Sequence, residues 1–219
     1  MPLTIIHLPA VARALARPFH VRPLAALGSL AVSVYLCQGE MDWHKHVDED
    51  ELFCVHAGAI GLETDRGALS LQAGELAVVP KGVLHRSHSE LRSEVVLIRP
   101  AVLTERTNGH RHFYSTGAEP PLPKRRWPPE MPPAPFTLVA LAQVEAFVLQ
   151  GLVGQGLGPE WSAPAPGALW WVLAGELRLE VGPEVAMLGP GDLAVAPPDT
   201  LCRLVCRVPT AALTLAAAN

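Results

Sequence analysis

Residues 52–85 read LFCVHAGAIGLETDRGALSLQAGELAVVPKGVLH, and residues 169–202 read LWWVLAGELRLEVGPEVAMLGPGDLAVAPPDTLC. At an offset of 117 the two lie over one another without a gap, and 13 of 34 positions are identical. Gly58, Gly74 and Pro80 fall on Gly175, Gly191 and Pro197. Turn residues that recur at fixed spacing mean that the turns themselves recur, so one supersecondary unit is used twice. Between the turns the apolar residues run in short stretches with a period of two, the strand period. The stretch predicts a duplicated all-β protein.

The same reading extends outward in both directions. In Ser29–Cys37, Leu30, Val32, Val34 and Leu36 share one face, and Ala31, Ser33, Tyr35 and Cys37 the other. Further strands are expected at 51–56, 59–64, 68–72, 75–79 and 93–99, with Asp65-Arg66-Gly67 as a hairpin turn. After residue 135 they resume at 136–141, 144–149, 169–174, 176–181, 185–188, 192–196, 201–208 and 210–216. Residues 8–16, LPAVARALA, suit one short amphipathic helix. Between Glu105 and Pro135 eight prolines fall in a segment with no strand-length apolar run, which reads as a linker or a surface strap. The expected organisation is a first domain over residues 1–104, a Pro-rich linker over 105–135 and a second domain over 136–219.

Composition narrows the function classes. The chain has 219 residues, 49% hydrophobic and 17% charged, which is too apolar for disorder. A net charge of −4, with no basic cluster beyond Lys124-Arg125-Arg126, gives no electrostatic footprint for nucleic acid. No apolar run reaches the roughly 18 residues of a membrane span, and Arg13 and Arg17 interrupt the N-terminal stretch where a signal peptide would be apolar. A soluble cytoplasmic protein is expected. Cys37, Cys54, Cys202 and Cys206 include no Cys-x-x-Cys pair and read as reduced, buried thiols.

The chemistry lies in the first half, in GEMDWHKHVDEDELFCVHAG (39–58) and GELAVVPKGVLHRSHS (74–89). His44 and His46 are two apart on an extended segment, so both imidazoles point to one face. Glu51 shares its strand face with Phe53 and Val55, and His85 arrives just past the Pro80-Lys81-Gly82 turn. Three imidazoles and a carboxylate converging inside a barrel suit a divalent metal and leave one or two positions for water or substrate.

These spacings resemble the cupin superfamily. Its first motif, a glycine, His-x-His, a glutamate and a glycine, stands here as Gly39, His44-Lys45-His46, Glu51 and Gly58. Its second stands as Gly74, Pro80-Lys81-Gly82 and His85, with Ser89 where the family has asparagine. Gly39 is also one residue closer to His44 than in the family pattern. The resemblance implies two tandem cupin barrels (jelly rolls, or double-stranded β-helices) preceded by a short helix. It also implies metal ligation by His44, His46, Glu51 and His85, and a homodimer. Three histidines and a glutamate accept Fe, Mn, Ni, Co, Zn or Cu alike.

The second half keeps the frame without the ligands. The offset places Trp161, Ala163, Ala168 and Cys202 at the positions of His44, His46, Glu51 and His85. Tryptophan bulk is expected to fill this barrel, the rival being an apolar ligand pocket lined by Trp161, Trp170 and Trp171. Substrate is expected to enter the first barrel near Trp43, His88 and the loop after Pro80. Asp48, Glu49 and Asp50 read as a solvated acidic turn, His56 as packing or surface, His88 as an exposed loop residue in preference to a contact at the pocket mouth, and His110-x-His112, with no carboxylate nearby, as residues of the Pro-rich segment in preference to an accessory metal site. The expected function is a small-molecule metalloenzyme of dioxygenase or isomerase type. The alternative is a non-catalytic, metal-dependent sensor or ligand binder.

Overall fold

The structure, a computed structural model, describes residues 2–102, 106–108, 119–128 and 136–218. The chain divides into two compact units, residues 14–127 and residues 1–13 with 128–219. Strand β1 (Thr4–His7) and helix α1 (Leu8–Arg13) open the chain. The helix stops short of the expected residue 16, leaving Leu8 and Ala12 as its buried residues.

The unit of residues 14–127 runs through β2 (Arg22–Leu27), β3 (Leu30–Glu40), β4 (His44–His46), β5 (Glu51–Ala57), β6 (Ala59–Thr64) and β7 (Gly67–Gln72). It continues with β8 (Glu75–Val79), β9 (His85–Pro100), β10 (Arg106–Asn108) and β11 (Lys124–Arg126). β9 ties the sheet together, pairing antiparallel with β3, β4, β5 and β6 along its length. The predicted hairpin forms: Thr64 pairs with Gly67, and Thr64 Oγ1 donates to the Gly67 carbonyl at 2.8 Å. Inward residues of alternating strands (Phe53, Val55, Ala77, Val79, Val95 and Leu97) bury together with Tyr35, Ile60 and Leu62. Each buried Val, Leu, Ile or Phe among them contributes about 1.5–3 kcal/mol.

Part of the Pro-rich segment belongs to this unit. β11 pairs with β8, Leu122 and Trp127 are buried, and Trp127 N donates to the Gly74 carbonyl at 2.9 Å. The segment serves here as a strap held by one strand edge and one indole.

The other unit contains β12 (Thr137–Val144), β13 (Phe147–Ser162), β14 (Ala168–Ala174), β15 (Leu177–Val181), β16 (Glu184–Leu188), β17 (Asp192–Ala196) and β18 (Leu201–Ala217). Its first strand comes from the other end of the sequence, because β1 pairs antiparallel with β17. Residues 1–13, expected in the first domain, therefore lie in the second unit. Leu8 and Ala12 are fully buried, and Leu8 N donates to the Gly191 carbonyl at 3.0 Å. A free sheet edge and an apolar helix face satisfy each other, which no local pattern in β1 reveals.

The sequence repeat is also a repeat of register. His44 faces His85, Glu51 faces Val79 and Phe53 faces Leu97. At the offset of 117, Trp161 faces Cys202, Ala168 faces Ala196 and Trp170 faces Thr214. Bulges between Val55 and Ala57 and between Val172 and Ala174 recur in step. The chain is thus an all-β fold of two homologous barrels.

Candidate metal centre

β4, β5 and β9 each deliver part of one cluster. His44 and His46 project from the same face of β4, Glu51 opens β5, and His85 opens β9 opposite His44. Ligand atoms of all four lie within 4.8 Å of one another, and all four residues are buried. Imidazole centroids stand 4.4 Å apart for His44 and His85, and 5.4 Å for His44 and His46. Backbone carbonyls orient two of the rings. Nδ1 of His44 donates to Asp42 O at 2.8 Å, and Nδ1 of His85 to Val83 O at 3.0 Å. That turns Nε2 of each ring toward the cluster, the arrangement by which outer hydrogen bonds fix metal-binding histidines.

His46 has no such partner. It is 2% exposed, and neither ring nitrogen makes a hydrogen bond. Its Nε2 lies 3.3 Å from Glu51 Oε1, near enough for electrostatic contact but without hydrogen-bond alignment. Buried polar atoms are rarely left this way, and a cation among the four residues would satisfy the nitrogen that faces the cluster. Burial alone would raise the Glu51 pKa. The hydrogen bond from His85 and the closeness of both imidazoles outweigh it and hold the carboxyl well below the ordinary range. The donor set fits a divalent transition metal.

Beside the cluster lies a cavity of about 100 Å³, walled by Phe19, Val21, Tyr35, Phe53 and Leu97, with His44, Glu51 and His85 among its lining residues. Tyr35 Oη and Ser87 Oγ are 3.2 Å apart on its wall. Arg99 also lines it, and its Nη1 donates to Glu51 Oε1 at 2.7 Å. The sequence reading missed Arg99, a charge at the end of an apolar run. Its available signal was parity, since Arg99 shares a strand face with Val95 and Leu97.

Several expected neighbours lie elsewhere. His88 points away from the cavity, next to Glu63 at 3.4 Å, because Ser87 occupies the inward position of β9. It packs over Gly61, where a Cβ would meet His88 Nε2 at 2.0 Å. Trp43 lies under the Arg86 guanidinium, 5.2 Å from its carbon, and does not line the cavity. Glu49 is buried at 4% exposure rather than solvated, whereas Asp48 is exposed and Asp50 accepts from Lys81 N at 2.8 Å. His56 sits at the β5 bulge, where burial lowers its pKa. His110 and His112 lie outside the described residues.

In the second unit Ala163, Ala168 and Cys202 are fully buried in an apolar core with Trp170. Trp161 packs edge-on against Trp170, centroids 5.4 Å apart at 83°. Trp171 is a strand neighbour of Trp170 and points to the opposite face, so the three tryptophans do not line one pocket. Cys202 retains a trace of the lost site. Its Sγ donates to Thr200 O at 3.6 Å, in the place of the His85 to Val83 bond. All four cysteines are free and buried.

Comparison with known proteins places these features in context. Residues 22–100, under half of the chain, match the family described as homogentisate 1,2-dioxygenase N-terminal. A curated relative, the uncharacterized protein YdbB of Bacillus subtilis (strain 168), is 41% identical over 56 residues. That match spans 25% of this chain and half the length of the relative. A solved structure of a salicylate 1,2-dioxygenase variant from Pseudoaminobacter salicylatoxidans in complex with gentisate superposes with a TM-score of 0.78 at 10% identity. It covers 99% of this chain and 82% of that one. A cupin 2 conserved barrel domain protein from Leptotrichia buccalis gives a TM-score of 0.71 at 11% identity, covering 98% and 96%. The fold is the cupin fold, present twice. Among the described residues no helix is long and apolar enough to cross a membrane.

Proposed function

We propose that this chain is a metal-dependent enzyme on a small oxygenated molecule, of dioxygenase or isomerase type, with its centre in the first barrel. His44, His46, Glu51 and His85 would hold one divalent transition metal, iron being the choice that the dioxygenase likeness favours. The observation that carries the reading is His46, buried with neither ring nitrogen hydrogen-bonded beside two imidazoles and a carboxylate. A bound metal supplies Lewis acidity and open coordination positions for substrate oxygens. The chain's own groups do the rest. Phe19, Phe53 and Leu97 exclude water and hold an apolar body, while the Tyr35 and Ser87 hydroxyls offer hydrogen bonds along the wall. The residues matching the homogentisate 1,2-dioxygenase N-terminal family include all four candidate ligands, which supports this assignment. Four free thiols suit a reducing cytoplasm, and a homodimer remains part of the proposal.

One feature favours a second reading, that of a non-catalytic ligand binder. Apart from the candidate ligands and Arg99, the ionisable group lining the cavity is Tyr35, and burial pushes its phenol far above the usual range. Among the described residues, no lining group outside the cluster and Arg99 is a carboxyl, an imidazole or an amine that could exchange a proton near neutral pH. Turnover separates the readings, since a binder raises the melting temperature with ligand and consumes none of it.

The deciding experiment is elemental mass spectrometry on protein purified without an affinity tag, beside the His44→Ala/His46→Ala double variant. The expected result is near-stoichiometric metal in the parent and its loss in the variant, followed by oxygen uptake with small oxygenated substrates. A variant that retains stoichiometric metal, or a parent that takes up none after reconstitution, overturns the assignment.

A further inference from the structure

The two oxygens of Glu51 have different neighbours. Oε2 stands 3.0 Å from His85 Nε2, whereas Oε1 accepts from Arg99 Nη1 at 2.7 Å and lies 3.3 Å from His46 Nε2 without a hydrogen bond to it. We propose that Arg99 shares Glu51 with the metal, holding one carboxylate oxygen and leaving the other as the centre's single acidic donor. This inference rests on the reading that the four residues hold a metal.

Three observations carry it. Arg99 reaches the site from the inward face of β9, the face of the buried Val95 and Leu97, and its side chain is only 24% exposed. A guanidinium kept there keeps its charge and is costly to bury unless paired, and Glu51 is the pair. The internal repeat supplies a control. At the offset of 117, Glu51 becomes Ala168 and Arg99 becomes Ala216, both buried. Where the carboxylate is gone the arginine is gone too, as expected of a counterion. Finally, a charge-assisted contact of this length is a strong one, so a cation binding at Glu51 competes with it for the second oxygen. Removing the guanidinium would free that oxygen and leave the buried carboxylate with only the imidazoles beside it, so cation affinity should rise.

Direction separates this role from mere orientation, because losing an orienting partner typically weakens metal binding by about 10–100-fold. The test uses Co(II) as probe on the full chain, with affinity read by chelator competition and coordination by the visible d–d band. Arg99→Gln and Arg99→Ala are expected to bind Co(II) about tenfold more tightly, with a weaker band as the second oxygen joins. Arg99→Lys, which retains the charge, should stay within about threefold of the parent. Melting curves establish that each variant folds, and alanine at this place is already accommodated in the second unit. Unchanged or weaker binding in a folded variant overturns the inference, as does equal tightening on removing Arg99 in a Glu51→Ala background. A parent protein that binds no Co(II) overturns the metal reading, and this inference with it.

Discussion

Cys54 and Cys37 show how far the barrel interior departs from water. Burial pushes the Cys54 thiol up to about 12 and the Cys37 thiol to about 11. In the unfolded chain these thiols ionise near the ordinary cysteine value, about 8.5. Between that value and the folded one, the unfolded state binds fewer protons, so stability falls as pH rises. The contribution of the neutral thiols is complete below about pH 8.5 and is lost progressively toward pH 11–12. Melting temperature should therefore decline across that alkaline window, and Cys54→Ala should flatten the decline. Native protein should also resist thiol alkylation at pH 8, reacting only once unfolded. Reading these cysteines as buried needed only their apolar surroundings. Reading Arg99 needed more, because a charge ending an apolar run has the same appearance whether it faces solvent or a carboxylate.

At the level of strands and turns, the glycines of the repeat make sharp predictions. Gly58 has φ +80, and a Cβ there would meet Ser93 Oγ at 2.4 Å and the Arg92 carbonyl at 3.0 Å. Its counterpart Gly175 has φ +78, with Pro209 O at 2.3 Å and Thr210 Oγ1 at 2.6 Å. Alanine at either position combines left-handed backbone with a main-chain clash and should cost about 1–3 kcal/mol or more, read as a lower urea midpoint. Gly61→Ala should cost far less, because the atoms it displaces belong to the movable His88 ring. These turns were legible because glycine and proline mark backbone geometry directly. The full reach of β9 was not. The strand was expected from residue 93 and begins at His85, because its inward positions His85, Ser87 and Ser89 are polar. An apolar-in, polar-out rule cannot see a strand whose buried face builds a site.

For the whole molecule, the candidate metal cluster lies in one barrel, while the matching positions of the other are packed into an apolar core. Trp170→Ala should open a void in the second unit, costing about 3–5 kcal/mol, while metal content of the first unit stays unchanged. Thermal melts with elemental analysis of the same samples check both halves of that statement. Deleting residues 2–7 should lower the melting temperature as well, since it strips β1 from β17 and removes the hydrogen bond from His7 Nδ1 to Asp192 Oδ1 at 2.6 Å. By itself the sequence determined the duplicated all-β fold, the turns and the four candidate ligands, and it favoured a filled second barrel over an apolar pocket. Each is written in local terms, as glycine and proline spacing, strand parity or a side chain's bulk. Tertiary structure alone decided that the N-terminal strand joins the far unit, that His88 faces outward and Glu49 inward, and that Arg99 closes on Glu51. Those outcomes depend on which strand edges and which charges meet across long stretches of chain, 48 residues between Glu51 and Arg99, and no local pattern encodes such a meeting.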